Sequence, residues 1–259
     1  MANKIVRLPV AGPSTLGATT RTDAWWTGPA ATVLVLTAFI VYATWRAFEG
    51  ADYEWRAYLS PFYSPFFDVA WAKHLGLRFF TPAMLILPGP ASFRFTCYYY
   101  RKAYYRAFAW DPPACAVGER APHSYRGEMG LLLFQNLHRY AMYVALVFLV
   151  ILWKDAIVAF AGWKDGVHVG LGTLVMVTNC VLLTGYTFGC HSFRHLIGGG
   201  VNSYSTAMFG KARHRIWKLA TLLNERHMVF AWMSLFSVAL TDLYIRMVAA
   251  GAILDPRLF

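Results

Sequence analysis

The chain has 259 residues, 58% of them hydrophobic and only 14% charged, with a mean hydropathy of +0.40. An ordinary soluble domain carries about a quarter charged residues and is excluded. A formal charge of +11 invites a nucleic-acid reading, but the apolar spans assign that charge to a membrane surface and exclude nucleic acid as a partner.

Residues 1–24 are mixed and polar and contain no cleavable signal peptide; the first apolar run begins after Trp25-Trp26. Span one is expected at 28–47, with Trp25, Trp26 and Trp45 as interface anchors. Span two, 75–98, is irregular, because Pro82 and the run Pro88-Gly89-Pro90 interrupt it. A proline break at membrane depth needs protein or water nearby to satisfy the freed carbonyls. An aromatic, basic helix follows from Cys97 to Phe108. It reads as an interfacial helix whose arginines meet headgroups, as a docking surface for a partner, or as both.

Asp111-Pro-Pro-Ala-Cys115 opens a loop. Spans three, four and five are expected at 131–153, 167–190 and 227–250, each near the roughly 20 residues that cross a bilayer. Between the last two lies a polar segment, 192–226, with Gly198-Gly199-Gly200 and a basic amphipathic stretch at 211–223. The expected architecture is all-α: one membrane domain, 1–259, built as a bundle of five transmembrane helices with loops 99–130 and 191–226 on the cytoplasmic side.

The Lys/Arg distribution sets the expected orientation. The N-terminal arm carries Lys4, Arg7 and Arg21. The loop after span two carries Arg94, Arg101, Lys102, Arg106, Arg120 and Arg126, and the loop after span four carries Arg194, Lys211, Arg213, Arg215, Lys218 and Arg226. These fifteen face seven on the other side: Arg46, Arg56, Lys73, Lys154, Lys164, Arg246 and Arg257. The N-terminus is therefore expected in the cytoplasm of a bacterium whose plasma membrane holds the bundle.

With that topology, Cys97, His138, Cys190 and His227 lie at similar depth near one face, each on a different span. Cysteine and imidazole are ligands of soft and borderline metals and of iron–sulfur clusters, and bundles build such sites from facing helices. Two Cys on one iron and two His on the other would make a Rieske-type [2Fe–2S] centre. Cys180, mid-span beside Asn179, reads as a small buried hydrophobe. Cys115 reads equally as ligand or turn residue. His138 lies in the polar run Gln135-Asn136-Leu137-His138-Arg139, and an ionisable group at that depth points to a cofactor or quinone role. His227 reads also as an ordinary helix-start histidine. His191 and His195 do not read as one clean helical turn and would face phosphates, a partner or a quinone; His214 reads as surface. His74 and His168, near the opposite face, are a possible second pair for haem. No C-x-x-C-H haem attachment, Gly-rich phosphate loop or hydrolase nucleophile motif is present.

Six segments resemble one family: Thr96-Cys97-Tyr-Tyr-Tyr-Arg-Lys-Ala-Tyr-Tyr-Arg-Ala-Phe108, Pro112-Pro-Ala-Cys-Ala-Val117, Gln135-Asn-Leu-His-Arg-Tyr140, Gly189-Cys-His-Ser-Phe-Arg-His-Leu-Ile-Gly-Gly199, Asn224-Glu-Arg-His227 and Asp242-Leu-Tyr-Ile-Arg246. The family is the single-chain, five-helix membrane anchor of actinobacterial-type succinate dehydrogenase, respiratory complex II. The resemblance covers nearly the whole chain, and the motifs are specific together rather than singly. It implies two soluble partners, a flavoprotein that oxidises succinate and an iron–sulfur subunit, with the anchor passing electrons to a quinone. It also implies a Rieske-type [2Fe–2S] cluster in place of haem b, held by two Cys and two His. The assignment expected here is Cys97, Cys190, His138 and His227, one per helix, with Cys115 and His191 in reserve. A cysteine sometimes found in the family between the two histidines of the span-four motif is Phe193 here, so that position is not an obligatory ligand. Arg139, Ser192 and Arg194 are the candidates for the quinone head, and the 101–106 and 213–218 segments for docking the soluble subunits. The rival readings are a dihaem cytochrome b anchor, using His138/His227 and His74/His168, and a non-redox membrane protein such as a transporter. A transporter would more readily show repeated halves with paired broken helices.

Overall fold

The computed structural model describes residues 15–77, 79–119, 130–161, 166–167 and 169–258. Four helices in it are long and apolar enough to cross a membrane: α1 (Thr27–Glu49), α6 (His138–Ala161), α7 (Leu171–Phe188) and α10 (His227–Ala249). They match spans one, three, four and five of the sequence reading. Span two differs. It is two short helices, α3 (Pro82–Ile86) and α4 (Pro88–Thr96), each opening on a proline. Proline suits a first helical position because its missing N–H would have no partner there. Ala91 N still donates to the Leu87 carbonyl at 3.0 Å, so the two pieces follow one another closely. At 1.5 Å per residue, residues 82–96 reach only about 22 Å, short of a hydrocarbon core of about 30 Å.

The remaining helices are short or interfacial: α2 (Ala70–His74), α5 (Tyr98–Tyr104) continued by a π turn (Tyr105–Ala109), α8 (His191–Gly198) and α9 (Gly210–Glu225). A 3₁₀ segment, Gly130–Leu137, leads into α6. The polar segment 192–226 thus holds the expected amphipathic helix in α9. His191 and His195, read from sequence as lacking a clean helical relation, both sit on α8, four residues apart on one face. Among the described residues the only sheet is a small hairpin, β1 (Glu54–Trp55) with β2 (Tyr58–Leu59).

The bundle is centred on α7, which packs between α6 and α10, while α4 lies against α6. Gly89 permits that approach: a Cβ there would stand 2.6 Å from the Phe148 ring. Leu34, Ile40, Val147, Val150 and Leu240 remain exposed on the long helices, as lipid-facing positions do. Helix α6 runs eight residues past the expected end of span three, through Lys154 and Asp155. The Asp155 carboxylate is satisfied there by the Ser64 hydroxyl from the segment that follows the hairpin.

The end of the bundle that carries the hairpin is closed by polar contacts. Asp255 near the C-terminus accepts from Tyr58 at 2.8 Å, Tyr244 at 2.6 Å and Gly172 N at 2.8 Å. Burial pushes the Tyr58 hydroxyl up to about 12, so it remains a donor. Deeper, Asp242 is fully buried and accepts from Tyr42 Oη at 2.7 Å, from the Ser60 hydroxyl and from Arg246 Nε at 2.9 Å. Arg246 Nη1 also reaches Glu49 at 2.9 Å, and Glu49 pairs with Arg46 at 2.6 Å. Arg46 and Arg246, counted from sequence as loop charges, are thus held in an ion-pair network between α1 and α10.

Gly189 ends α7 where α9 also ends. Its carbonyl accepts from Asn224 Nδ2 at 2.8 Å, and a Cβ would stand 2.6 Å from the Gly185 carbonyl and 3.0 Å from that of Leu223. Both are backbone atoms that no rotamer change can move. Gly189→Ala is expected to cost about 1–3 kcal/mol, in the range of overpacked cores. A lowered midpoint in heat unfolding of the detergent-purified protein checks this; an unchanged midpoint would mean that α9 shifts freely.

Candidate functional site

Each of the four expected ligands occupies a helix start, which is why they share a level. Cys97 lies between α4 and α5 with extended backbone (φ −66°, ψ 127°) and caps α5. Cys190 lies likewise between α7 and α8 (φ −65°, ψ 139°), and its Sγ accepts from Ser192 N at 3.4 Å. His138 is the first residue of α6 and His227 the first of α10.

The four form two hydrogen-bonded pairs. His138 Nε2 stands 3.0 Å from Cys190 Sγ, and His227 Nε2 stands 3.7 Å from Cys97 Sγ. The pairs adjoin: the Phe93 ring that stacks on His138 and the Tyr186 ring that stacks on His227 are 5.2 Å apart, and Cys97 and Cys190 share one core cluster. Cys97, Cys190 and His138 are almost wholly buried, and the two cysteines lie in one core cluster with Phe93, Tyr100, Met142 and Tyr186.

The second layer is aromatic and cationic. The Phe93 ring stacks on His138 at 5.0 Å and 1°, and Tyr186 stacks on His227 at 5.0 Å and 15°. Thr96 Oγ1 lies 2.8 Å from His138 Nδ1, which leaves Nε2 to face the thiol. Arg94 reaches Tyr100 Oη at 2.8 Å, Ser234 Oγ at 2.9 Å and the Ala231 carbonyl at 3.1 Å, with its guanidinium 4.8 Å over the Tyr186 ring. Two polar atoms beside the pairs are buried without a hydrogen-bond partner among the described residues, His227 Nδ1 and the Tyr186 hydroxyl.

Two Cys and two His on four separate elements fit, in type and number, the donor set of a Rieske-type centre. The partnered Nδ1 of His138 is the outer contact that ligating histidines ordinarily make. Among the described residues no three ligands converge on a single point. The pairs are mixed, Cys with His, as thiol–imidazole hydrogen bonds require, whereas a Rieske-type centre puts like ligands on each iron.

Of the other candidates, Ser192 and Arg194 bond Cys190 through their backbone N–H groups, to its Sγ at 3.4 Å and its carbonyl at 3.1 Å. Cys115 is exposed in the loop after α5, where its carbonyl accepts from Arg21 at 2.9 Å. Cys180 is buried among Ala156, Met176 and Ile245. His191 and His195 are on α8, and His195 Nδ1 lies 2.6 Å from Arg139. Arg194 donates to Thr221 at 3.0 Å and covers the Trp217 ring, so it ties α8 to α9. His214 lies against Tyr204. His74 ends α2 and is exposed; the His74/His168 haem pair includes His168, which lies outside the described residues.

Sequence reasoning passed over Arg94, Thr96, Tyr100 and Tyr186. Arg94 was counted as a loop charge, whereas it lies inside α4. The available signal was an arginine between Phe93 and Phe95, inside the expected span two, since ionisable groups at membrane depth tend to be functional.

A family model described as actinobacterial succinate dehydrogenase subunit SdhC matches residues 27–251. Among solved structures, the chain is similar to one in the Mycobacterium smegmatis Sdh1 complex in the apo form. The two are 40% identical with a TM-score of 0.82, and the match covers 100% of this chain and 97% of that one. No curated protein matches.

Proposed function

Because the chain belongs to the actinobacterial succinate dehydrogenase subunit SdhC family, and is therefore a membrane subunit of that complex, we propose that it passes electrons from an iron–sulfur partner subunit to a quinone. The flavoprotein and iron–sulfur subunits would dock on the face that carries the Cys/His pairs, on the cytoplasmic side of the bacterial plasma membrane. The observation that carries this reading is the meeting of two buried thiols and two imidazoles at the starts of four helices.

Cys97, Cys190, His138 and His227 would hold a Rieske-type [2Fe–2S] cluster, which when bound supplies one-electron transfer at about −150 to +300 mV, a range suited to a quinone acceptor. The Thr96 hydroxyl fixes the His138 ring. Phe93 and Tyr186 cover the imidazole faces and exclude water. Arg94 holds a positive charge beside the site without a carboxylate among its hydrogen-bond partners in the described residues. His227 Nδ1 has unspent hydrogen-bonding capacity; there it would bind a quinone carbonyl and carry a proton to it. Arg139, Ser192 and Arg194 remain the candidates for the far side of the quinone head, with α8 as their platform.

EPR of the purified, reduced complex tests the reading. A Rieske-type signal is expected in the wild type and its loss in the His138→Ala/His227→Ala variant. Absence of the signal with the partner clusters intact would overturn it in favour of haem or of direct transfer to quinone. Thr96→Val is expected to keep the fold but weaken cluster retention about 10- to 100-fold, the usual cost of an outer-layer partner. Iron per complex after gel filtration measures this, and full retention would mean that Thr96 does not position His138.

A further inference from the structure

A groove of about 550 Å³ lies beside the site, between α1, α5 and α10. That volume falls in the range of small-molecule sites. Its walls run lengthwise down two helices. On α10, Met228, Trp232 and Phe236 follow at four-residue spacing and so share one face over about 12 Å. On α1 the facing wall is made of small residues, Gly28, Ala31 and Thr32, and then Val35. Its mouth carries two cations, Lys102 at the end of α5 and Arg106 in the following π turn. Neither cation has a carboxylate partner among the described residues. Arg101, on another face of the same helix, packs instead over the Tyr98 ring at 5.0 Å.

We propose that this groove binds one anionic phospholipid, its phosphate held by Lys102 and Arg106 and one acyl chain lying along the α1–α10 wall. Charge complementarity selects the occupant. Two cations without a carboxylate partner among the described residues call for a net negative charge, which a neutral quinone lacks and which a zwitterionic lipid cancels with its own cation. The shape agrees: a polar mouth continues into an apolar channel parallel to the helices. Trp232 Nε1 donates to Tyr99 Oη at 2.7 Å, which fixes the floor and leaves the Tyr99 O–H to donate to an ester or phosphate oxygen. The inference rests on the chain being a membrane subunit and is independent of the cluster.

Native mass spectrometry of the purified complex tests it, after delipidation and titration with phosphatidylglycerol or with phosphatidylcholine. One phosphatidylglycerol per copy of this chain is expected to bind at least tenfold tighter than phosphatidylcholine. Lys102→Ala/Arg106→Ala should weaken phosphatidylglycerol about thirtyfold, since each basic side chain near a membrane surface contributes about fivefold. Val35→Trp should weaken both lipids by filling the channel while leaving the charges in place. Equal binding of the two lipids, or unchanged binding in the double variant, would overturn the proposal. So would displacement of the bound lipid by a short-chain quinone at its working concentration, which would assign the groove to quinone.

Discussion

Succinate-driven quinone reduction is expected to fall to background in the complex carrying His138→Ala and His227→Ala, while succinate oxidation by an artificial acceptor persists. On the proposed function the two activities separate, because the first half-reaction would belong to the soluble partners and only the second would need this chain. Each substitution removes the imidazole that faces a buried thiol, Cys190 in one pair and Cys97 in the other. The helices should stay in place, because α6 and α10 both pack against α7 through many residues besides these two. Cys97→Ser and Cys190→Ser should each give the same loss. Unchanged quinone reduction in the double His variant would sink the ligand assignment. Loss in the His variant with harmless Cys substitutions would favour a haem anchor instead.

Asp242→Ala is expected to destabilise the subunit by about 3–5 kcal/mol, the cost of removing one partner from a buried ion pair. Asp242 is fully buried and takes hydrogen bonds from Tyr42, Ser60 and Arg246, so its loss leaves a guanidinium and two hydroxyls without their acceptor. Glu49 would still reach Arg246 at 2.9 Å, but it is shared with Arg46 and is partly exposed. Removing both charges, as Asp242→Leu with Arg246→Met, should cost less than Asp242→Ala alone, because no unpaired charge remains. Heat unfolding of the detergent-purified complex measures both. A shift no larger than a surface substitution gives would mean that water replaces the lost carboxylate. Quinone reduction per assembled complex should be nearly unaffected, since the network closes the end of the bundle away from the Cys/His pairs.

Much of this was legible along the chain. The apolar runs, the tryptophans at their ends and the helix-start motifs follow from local composition, and they located α1, α6, α7 and α10 to within a turn or two. The exception was α6, whose end is set eight residues further by Ser64 reaching Asp155, a contact between segments far apart in sequence. That Cys97, Cys190, His138 and His227 share a level was also legible, because residues that open or cap helices at one face of a bundle do so whatever the packing.

Pairing was not legible. Which imidazole meets which thiol depends on how α4, α6, α7 and α10 rotate about their axes, and many side-chain contacts set that rotation jointly. Span two shows the same limit. Its prolines were visible, but that they shorten it into α3 and α4 against Phe148 depended on the space Gly89 leaves. Arg94 and Arg246 carry the clearest lesson. By sequence each is one more basic residue near a span end, and only the fold gives one of them Tyr100 and Ser234 and the other Asp242 and Glu49. A charge's solvation is a property of everything around it, so local composition marked the membrane spans and the candidate cysteines and histidines, and the tertiary structure alone decided where the charges went.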